Sequence, residues 1–191
     1  MSCFLLSLYM RNERKNAVRQ TIVDTASRLF YKQGYGNTGI NQIIEESGVV
    51  KSSLYTSFRS KEDILMAYLE TSGAATDEAL REAAYKFSDP KERILGVFDY
   101  LIGLVQEKEY YGCNFLNIIS EIPKEDERIR TQIKKQKNNV RRLFTEILEP
   151  IGKADMADDI YTLFDGALIA NKVHDAVWPV KSARNMAEKL L

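Results

Sequence analysis

The sequence predicts an all-α protein of about nine helices in two parts, a three-helix head over residues 10–60 and a larger helical domain over residues 61–191. Three observations predict it. Apolar residues recur every three or four positions along most of the chain, whereas the alternation that marks strands is scarce. Only four prolines and ten glycines occur in 191 residues, too few for a turn-rich β fold. Hydrophobic residues make up 45% and charged residues 28%, which allows a packed core beneath a solvated surface.

Taken in order, the first helix runs from Asn12 to Gln33, with Val18, Ile22, Ala26, Leu29 and Phe30 on one face and Gly34 as its stop. The loop "GYGNTG" follows. Thr38 is placed to cap a short helix carrying Ile40, Ile43 and Ile44, and Gly48 ends that helix in the left-handed conformation that glycine adopts cheaply. A second short helix spans Val50 to Ser57. "SKED" then reads as a capping box, Ser60 capping and Asp63 reaching back, which opens a long helix to about Phe87 with a bend at Gly73. Further helices are expected over Lys91–Lys108, Cys113–Ile122, Lys124–Glu149 and Asp155–Val173, and from Pro179 to the end.

Formal net charge is zero, yet the charge is segregated: Met1 to Lys61 holds nine Lys and Arg against four Asp and Glu, and the remainder 18 against 23. A basic head on an acidic body suits a chain whose first part meets a polyanion. Cys3 and Cys113 have neither CxxC spacing nor a disulfide framework, so a reducing, cytoplasmic setting is expected. The apolar opening "MSCFLLSLYM" is too short to span a bilayer, and its positive charges follow the apolar run instead of preceding it. It reads as an extension ahead of Met10, and no membrane partner is expected. Catalytic signatures are absent: no G-x-S-x-G, P-loop or HExxH occurs, and "GYGNTG" lacks both a preceding strand and dinucleotide spacing. No enzyme activity, cofactor or metal is expected; His174 is the sole histidine and has no spaced carboxylates beside it.

The segment "ESGVVKSSLYTSF" is short of core-forming residues. Two short helices joined by a glycine turn make a helix-turn-helix, whose second helix enters the DNA major groove with an exposed polar face. Leu54 and Phe58 point to the core and Val49 packs the turn. Ser52 and Ser53 keep the helix thin, Lys51 brings charge, Tyr55 a hydroxyl and a flat ring, and Thr56 a hydroxyl and a methyl. Thr38 and Lys61, each at a helix start, suit phosphate contacts. The stretch "GYGNTGINQIIEESGVVKSSLYTSFRSKEDIL" closely resembles the signature of the tetracycline-repressor (TetR) family of bacterial one-component regulators. Departures are small: Val50 replaces a usual small polar residue, Ser47 an alanine, and Thr56 with Ser57 a more usual aromatic or histidine pair, the last of which bears on base preference.

The resemblance implies a cytoplasmic bacterial homodimer that binds a palindromic operator and releases it when a small-molecule effector occupies the second domain. It implies a dimer interface on the last two helices, for which Leu163, Gly166, Ala167, Ala170, Val180, Ala183, Ala187 and Leu190 are the candidates. It also implies an effector pocket, for which Phe98, Tyr100, Leu101, Tyr110, Tyr111, Cys113, Phe115, Phe164, His174 and Trp178 supply apolar walls and polar handles. Core packing accounts for the same side chains. A second functional reading is a helical ligand-binding protein, or a redox or electrophile sensor acting through Cys113 at a helix start. The run "KKQKNNVRR", Lys134 to Arg142, reads as a solvated face complementing the dipole of a helix that begins with Glu125, Asp126 and Glu127.

Overall fold

The computed structural model describes residues 3–191, with side chains from Glu13 onward. The reading of residues 1–9 as an extension concerns side chains outside the described residues. Packing divides the chain into two units, Met1–Thr71 and Ser72–Leu191. Among the described residues all regular structure is helical, and no helix is long and apolar enough to cross a membrane.

The first unit holds α1 (Cys3–Gln33), α2 (Ile40–Ser47), α3 (Lys51–Ser57) and the opening turns of α4 (Lys61–Tyr85). Its core is the predicted face of α1, Ile22, Ala26, Leu29 and Phe30, with Val23 added and Val18 only half-buried, packed with Ile43, Leu54, Phe58, Ile64 and Leu65. Phe30 meets the rings of Tyr35 and Tyr68 edge-on at 5.3 and 5.8 Å, an arrangement worth about 0.5–1.5 kcal/mol per pair beyond burial. Gly48 ends α2 at φ 66°, a conformation that costs any β-carbon, and its N–H bonds to the Glu45 carbonyl. The turn to α3 is fixed by that geometry. The capping box at α4 forms: Asp63 N–H donates to Ser60 Oγ, and the Asp63 carboxylate accepts from the Arg59 N–H.

The predicted cap of α2 fails. The N-cap of α2 is Gly39, and no side chain caps it. Thr38 instead turns inward and donates its hydroxyl to the Gly34 carbonyl at 2.7 Å, closing the loop before the helix.

The second unit holds the rest of α4 with α5 (Pro90–Leu104), α6 (Asn114–Glu121), α7 (Glu127–Leu148), α8 (Ala157–His174) and α9 (Trp178–Leu190). Two 3-10 turns, Glu149–Ile151 and Ala154–Met156, join α7 to α8. Asp89 caps α5 by accepting from the Glu92 N–H, with Pro90 in the first turn, where its missing donor costs nothing. Phe98, Phe144 and Phe164 stack edge-on at the centre, among Leu80, Ile94, Val97, Val140, Leu143 and Ile160.

Gly73, where the sequence predicts a bend, lies inside α4, which is one helix to Tyr85. It makes room. A β-carbon there would stand 2.5 Å from Gln136 Oε1 on α7. Gln136 lies on the apolar face of α7 with 5% exposure, and its amide donates to the Gly73 carbonyl and to Asp77 Oδ1 at 2.6 Å. Asn139 bonds the other Asp77 oxygen. A polar group buried this deeply is tolerable only because it is hydrogen-bonded.

Candidate nucleic-acid interface

Helix α3 is pinned from beneath by Leu54 and Phe58, and the Phe58 ring is covered by the Arg19 guanidinium at 4.8 Å. The opposite face is open. Lys51, Ser52, Tyr55 and Thr56 are exposed, Tyr55 by 47%, while Ser53 is half-buried. Thr56 donates its hydroxyl to the Ser52 carbonyl at 2.8 Å and Ser57 donates to Ser53, so the end of the helix is held by its own side chains. The structure thus brings five of the residues predicted to meet DNA onto one short helix.

The other two are corrected. Thr38 is fully buried and its hydroxyl is engaged, so it offers nothing to a phosphate. Lys61 is half-buried; its ammonium donates to the carbonyls of Tyr35 and Thr38 at 2.8 and 3.0 Å and lies 4.1 Å from the centre of the Tyr35 ring. It locks the loop between α1 and α2. The sequence marks both as residues at helix starts but cannot say which way they face.

A surface residue that the sequence alone does not assign is Val50, 70% exposed at the head of α3 and capping nothing. The signal is present, because Ser, Thr, Asp or Asn is preferred at such a position and valine is among the poorest choices. Around the head, Arg28 pairs with Glu46 and Gln42 bonds both Gln33 and Glu46. The Arg28 and Gln42 hydrogen bonds hold the Glu46 carboxyl below its usual range.

In the second unit the predicted pocket residues scatter. Phe98, Leu101, Phe115 and Phe164 are buried, with Tyr110 and Cys113 half-buried against the same core. Tyr111 is half-buried and gives its carbonyl to Asn117. Tyr100, His174 and Trp178 are exposed, and the last two pack on one another at 5.2 Å. They line no interior space: aromatic character alone does not distinguish a pocket wall from a surface residue. A cleft of about 150 Å³ does occur, but Asp77, Leu80, Arg81, Asn139, Val140, Arg142 and Leu143 line it.

Cys113 precedes α6 in a polar cluster. The Lys137 ammonium donates to its Sγ at 3.6 Å and to Asp165 at 2.8 Å, and Tyr161 donates its hydroxyl to the other Asp165 oxygen at 2.6 Å. Burial, then the Asp165 hydrogen bond, pushes the Tyr161 hydroxyl well above its usual range, so it stays protonated. Of the "KKQKNNVRR" run, Lys134, Lys135, Asn138, Arg141 and Arg142 are exposed, and Arg141 pairs with Asp158.

The predicted dimer stripe is half wrong. Ala167, Val180, Ala183 and Ala187 face their own core, because the strongest apolar period of α8 and α9 is the one that packs against α5 and α7. Leu163 and Ala170 are half-buried, and only Gly166 and Leu190 are exposed. The uncovered apolar residues are Ile169 and Val173 on α8, with Trp178, Met186 and Leu190 on α9; Val173 is 72% exposed.

The family model for bacterial regulatory proteins, tetR family, matches residues 22–68, the helix-turn-helix with its flanking core. An uncharacterised HTH-type transcriptional regulator of Bacillus subtilis, YxaF, is 42% identical over 77 residues, 40% of each chain. The HTH-type transcriptional repressor NemR of Escherichia coli is 24% identical over 189 residues, 91% of this chain and 94% of that one. The crystal structure of SCO4454, a TetR-family transcriptional regulator from Streptomyces coelicolor, superposes with a TM-score of 0.84 at 21% identity, covering 99% of this chain and 94% of that one.

Proposed function

The chain belongs to the tetR family of bacterial regulatory proteins, and from that premise we infer that it is a non-enzymatic transcriptional regulator that binds DNA sequence-specifically and responds to a small-molecule ligand. The observation that carries this reading is the outer face of α3. Lys51, Ser52, Tyr55 and Thr56 stand in solvent on a helix fixed from below, in the part of the chain where positive charge is concentrated. Regulators of this family bind DNA operators and typically act as dimers with small-molecule effectors. The full-length relative is a repressor, which favours repression here.

Two copies would pair through the exposed apolar residues of α8 and α9, namely Ile169, Val173, Trp178, Met186 and Leu190 together with Gly166. Covering such a stripe removes from water what a lone chain leaves exposed. A two-fold dimer then reads a palindrome whose half-sites lie one helical turn, about 34–36 Å, apart. The effector would enter among Phe98, Leu101, Phe115 and Phe164, with Tyr110 and Cys113 as polar handles. It would act by favouring a state in which the heads are mis-spaced, a coupling of about 1–3 kcal/mol. DNA affinity that is equal with and without a bound ligand refutes that ligand as effector.

The test is selection of bound duplexes from a random pool at about 0.15 M salt, with Tyr55→Ala run alongside. Wild type is expected to enrich a palindrome and the variant not to. A folded dimer that enriches nothing overturns the reading.

A further inference from the structure

We propose that Val50 reads a thymine C5-methyl group in each half-site and is a specificity-determining residue of this head. The inference rests on the DNA-binding reading above and deepens it.

Sequence is read in the major groove mostly by long polar side chains that hydrogen-bond base edges: Arg or Lys on guanine, Asn or Gln on adenine, Asp or Glu accepting from cytosine. Of these six the helix "KSSLYTS" contains only lysine. Lys51 is the one long polar side chain on it. On α2, which by the docking geometry of such heads crosses the backbone, Gln42 is already bonded to Gln33 and Glu46.

Beside Lys51 and its hydroxyls, α3 also presents apolar surface. Val50 is the most exposed large hydrophobic residue of the described head. Tyr55 shows a ring, and Thr56 has turned its hydroxyl hydrogen back onto the Ser52 carbonyl. Val50 serves no packing role, since it lies in solvent, and it caps no helix. Single exposed valines are common. This one stands at the N-terminus of the helix that enters the groove, the end whose residues meet base edges. In the major groove the only apolar feature of any base pair is the thymine methyl, and it sits at the groove surface within reach of a short branched side chain.

The test removes that methyl and nothing else. The duplex enriched by the selection above is resynthesised with deoxyuridine in place of each thymidine in turn, symmetrically in both half-sites. Affinities of the wild type, Val50→Ala and Val50→Ile are measured by fluorescence anisotropy. At one thymidine of the half-site, uracil is expected to weaken the wild type about tenfold, the worth of burying one methyl in each half-site. Val50→Ala should bind the thymidine duplex about tenfold more weakly and be indifferent to the exchange; Val50→Ile should keep the dependence. Val50 is so exposed that its loss leaves the fold intact, which the melting temperature checks.

Three results overturn the proposal. Tolerance of uracil at every position shows that no methyl is read. An equal loss in wild type and Val50→Ala shows that another residue reads it. Both leave the DNA-binding reading standing. Failure of the selection to enrich any duplex removes that reading, and this proposal with it.

Discussion

The two units use their inward-facing polar residues in different ways. In the head, the bonds close within one stretch, Gly34 to Lys61. Thr38 closes on Gly34, four residues away, and Lys61 reaches Tyr35 and Thr38 across 26 and 23 residues. In the larger unit the corresponding bonds join distant segments: Gln136 to Gly73 across 63 residues, and Asn139 to Asp77 across 62. The head is therefore a motif, a compact run whose turns, caps and anchors specify one another. The larger unit is an assembly of helices whose contacts depend on tertiary packing. A motif is what a sequence displays, and an assembly is what it hides.

The largest effect that tests this contrast lies on α8 and α9. Ile169→Glu with Met186→Glu places charge on the uncovered stripe and should leave a folded monomer, helical by circular dichroism, whose operator affinity falls by at least about 100-fold because one head cannot replace two. Val180→Glu, on the buried stripe of the same helix pair, should instead unfold the unit, since an isolated buried carboxylate costs several kcal/mol. Sedimentation velocity separates the outcomes. A dimer that survives the exposed pair of substitutions places the interface elsewhere.

Next comes Gly73→Ala. The new methyl would collide with Gln136, and overpacking of this kind costs about 1–3 kcal/mol. Adding Gln136→Ala relieves the collision, so the double variant should lose less than the sum of the single losses. Urea denaturation reads both. Strict additivity would mean that the side chain moves aside freely and that Gly73 is not there for its sake.

These cases show where the sequence is legible. Gly48, the Ser60–Asp63 box, the buried side of α3 and the core face of α1 each depend on neighbours within a few residues, and each reads correctly. Helical period also locates the second unit's core, but it does not separate an interface from an interior. Val180, Ala183 and Ala187 form the stronger stripe of α9 and pack inward, while Trp178 and Met186, sparser in sequence, stay outside. Orientation fails too at Thr38 and Lys61. A threonine or lysine at a helix start suits a phosphate and a backbone carbonyl equally, and only the path of the loop between α1 and α2 decides.

That decision gives a smaller effect. Lys61→Ala removes two bonds to loop carbonyls and should lower head stability by about 1–2 kcal/mol, given that the ammonium is only half-buried. Because Lys61 binds the protein's own backbone, the slope of log affinity against log salt should stay unchanged. Removing a phosphate-binding cation from each subunit would instead flatten it by about two units. A flatter slope reinstates Lys61 as a phosphate ligand.

The smallest effect has the opposite sign. Val50 sits where a capping side chain would satisfy a free backbone N–H of α3, and it supplies none. Val50→Ser should therefore stabilise the isolated protein by about 0.5–1 kcal/mol, seen as a rise of a few degrees in melting temperature. A substitution that strengthens the helix and weakens its grip on DNA separates the demands of folding from those of reading, which elsewhere in the head coincide. Leu54 and Phe58 serve both, since fixing α3 is a condition for presenting it. Val50 serves only one. If Val50→Ser instead lowers the melting temperature, the valine packs against something in solution after all, and its claim to face the groove is lost.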